Sequence, residues 1–377
     1  MKIAFLVERP TQFEAPFYRF AASDPAHELR VLFTGGTNLA GPVFDPELGT
    51  SISWGIDLLG GYPSEACPAV GAASWFAQRL KPERCDLLIA NGYTKPLYRL
   101  GTRVARRSGV ATALRLDSVL FGGSLVRHLA KRLLFAAYMK RTYDLFFGVG
   151  SLTLEYLRSF GVPAERTGLF PYAVDVEAFR SGSALSTAQR QAARERLGVP
   201  ADARIVLSLA KLSSREAPWD LVRAFALLEK NESVWLVLAG DGPDRAALER
   251  EAGPRVRFPG YILYPELPAL YAAADLFVHP AREERWGVSV QEALACGLPV
   301  VASSRVGAAF DLIRPGGNGF LYQAGNDEEL ACRIEEALAL PPEQVRRTSV
   351  AILAEWDYAA AWKGLLATAQ RALGRAV

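Results

Sequence analysis

The sequence predicts an α/β protein built on two parallel, doubly wound sheets, and three observations carry that expectation. Apolar runs of strand length alternate with longer helical stretches along the chain, the pattern of parallel strands covered by helices on both faces. The alternation restarts after a polar interruption near the middle. The length, 377 residues, exceeds what one hydrophobic core usually supports, so two domains are expected.

In the first half the expected strands are Lys2 to Val7, Leu29 to Phe33, Asp86 to Ala90, Ala111 to Leu116 and Asp144 to Val149. In the second half they are Arg204 to Leu209, Val234 to Ala239, Arg255 to Pro259, Asp275 to His279 and Leu298 to Ser303. Between the two sets, Ser181-Gly182-Ser183 and the polar run Thr187 to Leu197 read as a connection between domains. The expected division is 1–175, 176–355 and a C-terminal helix, 356–377, whose Trp356, Tyr358, Trp362, Leu365 and Leu366 dock it back on the first domain. Residues 37–70, rich in Gly and Pro, are the least regular stretch and suit either a binding loop or a packed excursion at a sheet edge.

Composition closes off several classes. With 50% hydrophobic and 22% charged residues, wholesale disorder is excluded. The longest apolar runs are strand-length, far short of the roughly 18 to 20 residues that span a bilayer. The opening apolar stretch meets Glu8 and Arg9 too soon for a secretion signal, so a cytoplasmic location is expected. Four scattered cysteines fit neither a zinc motif nor a disulfide framework. Three histidines and no HxH, HExxH or DxD pattern lead to the expectation of no bound metal and metal-independent chemistry.

The net charge of +3 is unevenly spread, since Arg79 to Arg141 holds fourteen Lys or Arg against Glu83, Asp86 and Asp117. Arg99, Arg103, Arg106 and Arg107 fall on one face of a helix opened by Pro96. In the next helical run Arg127, His128, Lys131 and Arg132 share a side with Phe135, Tyr138 and Met139, while Val126, Leu129, Leu133, Ala136 and Ala137 fill the other. A basic, aromatic-bearing surface suits an anionic membrane and a lipid-linked acceptor, though charge runs often only solvate a helix. No nucleic-acid-binding motif accompanies the patch, and that partner is not expected.

The window with most chemical content runs from Arg282 to Ala302. Gly287 permits a sharp turn, a helix follows from about Val288 to Cys296, and Gly297 and Pro299 stop it. Glu284 lies in the loop entering the helix, and Glu292 lies just over one turn inside it. The free amides from Gly287 to Val290, including Val288 and Ser289, form a site for phosphate at the positive end of the helix dipole. A carboxylate beside it, Glu292, can accept two hydrogen bonds from a ribose diol. By spacing alone, helix capping and solvated acids explain the same residues.

This window resembles the E-x7-E signature of the family-four retaining glycosyltransferases, and the resemblance extends over most of the chain. Gly240-Asp241-Gly242-Pro243, Tyr271 to Pro280, Gly316-Gly317-Asn318-Gly319 and the junction Pro171-Tyr172-Ala173-Val174-Asp175 are similar to that family too. It implies two facing Rossmann-like domains (GT-B) and a nucleotide-diphosphate sugar as donor substrate, with no cofactor. Glu292 then binds the ribose, Glu284 lies by the transferred sugar, and Tyr261 and Ile262 set their backbone against the base. The family usually carries an Arg and a Lys after the first strand of this domain. Here Lys211 takes the Arg position, Glu216 the Lys position, and Arg215 precedes it.

An acid facing a diphosphate repels it, so Arg215 is expected to substitute. Transfer by front-face attack needs no protein nucleophile; Lys211 and Arg215 would hold the charge of the leaving diphosphate. Arg115 and Asp117 end a strand expected to face the cleft, Asp117 as an acceptor contact or a turn cap. Further acceptor candidates are Glu8, Arg9, Gln12, Phe13, Asn91, Gly92, Tyr93 and Lys95, on loops after strands. The expected activity is retaining sugar transfer to an acceptor hydroxyl of a glycolipid, polysaccharide or other glycoconjugate. The alternatives are a non-hydrolysing nucleotide-sugar epimerase and a catalytically weak nucleotide-sugar-binding scaffold subunit.

Overall fold

The computed structural model describes residues 1–36, 38–39, 41–122, 125–228 and 233–374; the side chains of Leu125 and Arg127 lie outside the description. In chain order the strands are β1 (Lys2–Val7), β2 (Glu28–Phe33), β3 (Val43–Asp45), β4 (Thr50–Ile52), β5 (Ser64–Ala66), β6 (Leu87–Asn91), β7 (Ala111–Leu116), β8 (Leu145–Gly148) and β9 (Thr167–Leu169). They continue as β10 (Arg204–Leu209), β11 (Val234–Ala239), β12 (Val256–Gly260), β13 (Leu276–His279), β14 (Val300–Ser303) and β15 (Gly319–Tyr322). Two compact units result: Met1–Gly41 with Asp57–Val174 and Trp356–Val377, and Pro42–Ile56 with Asp175–Glu355.

The first unit holds a parallel sheet in the order β5-β2-β1-β6-β7-β8-β9. Its central strands are buried on both faces, which is why they read as unbroken apolar runs rather than alternating ones. Leu6, Leu88, Leu114 and Phe146 pack against Phe76, Tyr98, Phe135 and Tyr156 from the covering helices. The C-terminal helix Tyr358–Leu373 belongs to this unit. Asp357 caps it by accepting the Ala360 N–H at 2.8 Å, Trp362 donates its indole N–H to Asp24 at 2.8 Å, and Tyr358 meets Phe17 edge-on.

The second unit holds a parallel sheet in the order β12-β11-β10-β13-β14-β15. That is the Rossmann order, whose switch point lies between β10 and β13. Val206, Leu236, Val278 and Val301 meet Leu221, Phe225, Leu330 and Ile334 in its core.

Two expectations change here. The polar helix Thr187–Arg196 is no interdomain connection. Its Arg194 is buried, donates to the carbonyls of Ala273 and Ala203 and pairs with Asp275, and Arg190 pairs with Asp275 too, so charge rather than apolar surface fastens it to the second unit. The segment Pro42–Ile56, expected within the first domain, is grouped with the second unit. It carries the antiparallel pair β3 and β4, and Trp54 and Ser53 accept hydrogen bonds from the Tyr264 N–H and the Tyr261 hydroxyl.

Candidate functional site

In a doubly wound sheet the ligand crevice opens beyond the carboxyl ends of the strands at the switch point. In the second unit those ends are Leu209 of β10 and His279 of β13; Lys211, Arg215 and Glu216 follow the first, and Glu284 and the helix opened by Gly287 follow the second. The stretch after β10 is pinned by the loop after β11. Leu212 N–H donates to Asp241 O at 3.0 Å, and Asp244 N–H to Leu212 O at 3.0 Å. The approach is close enough that a Cβ on Gly240 would stand 2.0 Å from Ala210 O, and one on Gly242 2.3 Å from Leu212 O. Ala217 then adopts a left-handed φ of 53° to enter the helix Pro218–Ala226, a strained turn of the kind found beside functional groups.

This loop places Lys211, Arg215 and Glu216 together, but neither cation stands free. Lys211 pairs with Asp45 at 2.6 Å and Glu47 at 2.8 Å, both from the segment that joins this unit. Burial works against the ammonium, yet the two carboxylates more than offset it and raise its pKa. Arg215 pairs with Glu216 and, at 3.5 Å, with Glu284, and donates to Glu283 O at 3.3 Å. Two cations therefore face four carboxylates. Glu216 is buried, its Oε2 has no hydrogen-bond partner among the described residues, and burial pushes its carboxyl up to about 7 against the pull of Arg215.

On the other side of the switch point, His279 is 3% exposed, its Nδ1 lacks a hydrogen-bond partner among the described residues, and burial lowers its pKa. Glu284 is held by its backbone, which donates to Arg305 O and accepts from the Gly307 N–H, both at 2.9 Å; its Oε1 accepts the Trp286 N–H at 3.2 Å. Gly287 has φ 98°, and a Cβ there would meet Val306 at 2.9 Å and the His279 ring at 3.1 Å, so only glycine turns the chain here. The helix Val288–Ala295 begins at this glycine without a side-chain cap. Val288 and Ser289 are its first two residues, and the Val290 N–H is already donated to Gly287 O. One turn on, Glu292 is buried, accepts the Tyr271 hydroxyl at 2.9 Å, and is pushed up to about 7 by desolvation.

Tyr261 and Ile262 follow β12, and the Tyr261 hydroxyl donates to Ser53 O at 3.2 Å. The structure thus gathers Lys211, Arg215, Glu284, Glu292, Gly287, Val288, Ser289, Tyr261 and Ile262 in one unit. Asp117 lies in the other, just after β7, half-buried beside Tyr172. Sequence reasoning missed Asp45 and Glu47, which only the tertiary path of residues 42–56 brings to Lys211. It also missed Tyr271 as the partner of Glu292. The proximity of Glu216, His279 and Glu284 is a further surprise.

In the first unit, Arg115 is not a cleft residue. It is 4% exposed, pairs with Glu14 at 3.0 Å, donates to the carbonyls of Phe170 and Pro171 at 3.1 and 2.6 Å, and lies over the Phe170 and Tyr172 rings. Asn91 donates to the same Glu14 at 2.9 Å, and Lys95 pairs with Glu8. Arg99, Arg103, Arg106 and Arg107 are exposed on the helix Pro96–Arg107.

The second basic run is turned around from expectation. Phe135 and Met139 enter the core, His128 stacks on Phe160, and the Lys131 ammonium lies over Tyr156, while Val126, Leu129 and Leu133 are 76%, 60% and 64% exposed. A helix of this composition has two apolar sides, and the sequence does not say which one docks. Lys131 and Arg132 are exposed, and the Arg127 side chain lies outside the described residues.

Residues 189–351 match the family model described as Glycosyl transferases group 1. That stretch lies within the second unit and makes up less than half of the chain, so it is a likeness of this unit. A curated GDP-mannose-dependent alpha-mannosyltransferase of Mycobacterium tuberculosis is 32% identical over 243 residues, 63% of this chain and 60% of that protein. A D-inositol 3-phosphate glycosyltransferase of Thermobispora bispora is 32% identical over 202 residues, 50% of this chain and 46% of that protein. The match thus spans about half the length of such curated relatives.

Among solved structures, Anabaena HepE in complex with UDP has a TM-score of 0.73 at 20% identity, covering 98% of this chain and 99% of that one. A glycosyltransferase from Rickettsia africae has a TM-score of 0.76 at 14% identity, covering all of both chains. These likenesses establish the fold of the whole chain, two Rossmann-like units of the GT-B type. Glu284 before the helix opened by Gly287, and Glu292 inside it, are the two acids on which the sequence resemblance rests.

Proposed function

We propose that this chain transfers a sugar, with retention of anomeric configuration, from a nucleotide-diphosphate sugar to an acceptor hydroxyl. The observation that carries the reading is the arrangement at the switch point of the second unit. An uncapped helix start at Gly287 lies between Glu284 and Glu292, with Lys211 and Arg215 on the facing loop. The amides accept phosphate oxygens, Glu292 accepts the ribose hydroxyls, and Glu284 orients the sugar. The acceptor oxygen bonds to the anomeric carbon as the bond from that carbon to the diphosphate oxygen breaks. The acceptor proton passes to the departing diphosphate, whose charge Lys211 and Arg215 stabilise once it displaces their carboxylates.

A nucleotide sugar as donor is supported by HepE structures with UDP-glucose and by the GDP-mannose dependence named for the mannosyltransferase relative. Acceptor contacts fall to the first unit, with Asp117 as a candidate. The exposed Val126, Leu129 and Leu133, with Lys131 and Arg132 beside them, support an anionic membrane surface as the place where the acceptor is met. No described helix is long and apolar enough to cross a membrane.

The test is a thermal-shift panel of uridine, guanosine, adenosine and thymidine diphosphate sugars, followed by NMR of the anomeric centre in the product. One sugar should raise the melting temperature and be transferred with retention; inversion, or no binding by any, would refute the reading. The carboxylate excess around Lys211 and Arg215 favours a second reading, a nucleotide-sugar-binding subunit without turnover. Tight donor binding with no product across a broad acceptor panel would select it.

A further inference from the structure

We propose that Glu216, His279 and Glu284 form a binding site for one divalent transition-metal ion, of the Mn2+ or Zn2+ class. One ligand atom from each residue, two carboxylate oxygens and an imidazole nitrogen, lies within 4.8 Å of the others. Glu216 and His279 are more than nine-tenths buried, and Glu216 Oε2 and His279 Nδ1 have no hydrogen-bond partner among the described residues. Buried polar atoms of native proteins are nearly always satisfied, so two orphans in one three-residue cluster point to a missing ligand.

The charge around the cluster asks for a cation. Lys211 and Arg215 face Asp45, Glu47, Glu216 and Glu284, four acidic groups against two cations. A cation would relieve that excess of acid. Mixed carboxylate and imidazole donors suit Mn2+ and Zn2+ better than Ca2+ or Mg2+, which prefer oxygen alone. Ligands about 2.1 Å from one ion can stand at most about 4.2 Å apart, so the cluster needs to contract by no more than about 0.6 Å. Arg215, its side chain 46% exposed, can swing outward as the ion takes over Glu216 and Glu284.

Three protein ligands leave open coordination positions, as at catalytic rather than structural ions. The inference deepens the proposed function and rests on it for one consequence. The ion would supply the positive charge that Glu216 removes from this position, present it to diphosphate oxygens, and free Arg215 for the same group. This departs from the metal-free chemistry expected from sequence motifs, which register ligands near in sequence and not ligands gathered from two strand ends.

The experiment uses the full chain, stripped with chelator and titrated with Mn2+, then Zn2+, without nucleotide, with free Mn2+ read by electron paramagnetic resonance and Zn2+ by calorimetry. One ion per chain is expected, with affinity reduced ~10-fold or more in Glu216→Gln, His279→Gln and Glu284→Gln, and unchanged in Glu251→Gln at an exposed site on another helix. Glu284→Gln is partly exposed and tests the site even where a buried variant fails to fold. The absence of stoichiometric binding, or binding equal in all folded variants, would overturn the proposal. A second titration measures UDP affinity with and without Mn2+. Metal binding without nucleotide coupling would keep the site and count against the diphosphate role, which separates this inference from the donor reading.

Discussion

Arg115 in the first unit and Arg215 in the second both sit beside acids near the carboxyl end of a parallel strand, and they are in opposite conditions. Arg115 is buried, has a single carboxylate partner in Glu14, donates to two carbonyls, and lies over two aromatic rings. Arg215 is half-exposed and shared between Glu216 and Glu284, with Glu216 left short of partners. The first is a closed account of charge and hydrogen bonds, the mark of a structural ion pair. The second is open, and an open account of charge in a crevice is what a ligand completes.

The comparison is broken most severely at Arg115. Arg115→Met should lower stability by about 3–5 kcal/mol, because it leaves Glu14 buried without its counter-ion. Thermal or urea unfolding checks this; a loss below about 1 kcal/mol would mean Arg115 is not the clamp described. Glu292→Ala should leave folding intact and weaken donor binding by roughly 10- to 100-fold, the value of hydrogen bonds to a charged group. Calorimetry with the donor found by the panel reads it directly, and unchanged affinity would remove the ribose assignment.

A smaller effect is expected on the pH dependence of stability. Glu216 and Glu292 are pushed up to about 7 from an ordinary value of 4.5, so between those pH values the native state holds more protons than the unfolded one. Stability then falls as pH rises through this window, the reverse of an ion-paired acid. Glu216→Gln should flatten part of that slope and stabilise the protein at pH 8 by on the order of 2 kcal/mol. Unfolding curves at pH 5 and 8 measure it, and an unchanged slope would show that Glu216 is ionised throughout. Smallest is the double variant Asp45→Asn with Glu47→Gln, which unburdens the partly exposed Lys211. It should tighten donor binding by no more than about fivefold, and weaker binding would mean that the two acids support the site rather than compete for it.

Much of this was legible in the chain itself. The central strands are buried on both faces and announce themselves as apolar runs such as Val234–Ala239. The edge strands do not: Ser64-Glu65-Ala66 and Thr167-Gly168-Leu169 are three residues each, and only pairing to a neighbour makes them strands. Gly287, Glu284 and Glu292 were readable because helix, stop and acids are close in sequence. Asp45 and Glu47 on Lys211 were not, since 164 residues separate Glu47 from its partner.

The helix after Leu125 shows a different limit. Lys131 and Arg132, assigned to the side of Phe135 and Met139, are exposed with Leu129 and Leu133 instead; the core-facing side packs on Phe160 and Tyr156, and a π turn at Phe135–Met139 shifts the phase of the helical repeat.

A crystal structure with the bound nucleotide sugar tests the central claim most directly. The account predicts the diphosphate at the amides of the helix opened by Gly287, within reach of Lys211 and Arg215, and the ribose hydroxyls on Glu292. A donor bound away from the switch point between β10 and β13, with Glu292 still holding only Tyr271, would contradict it.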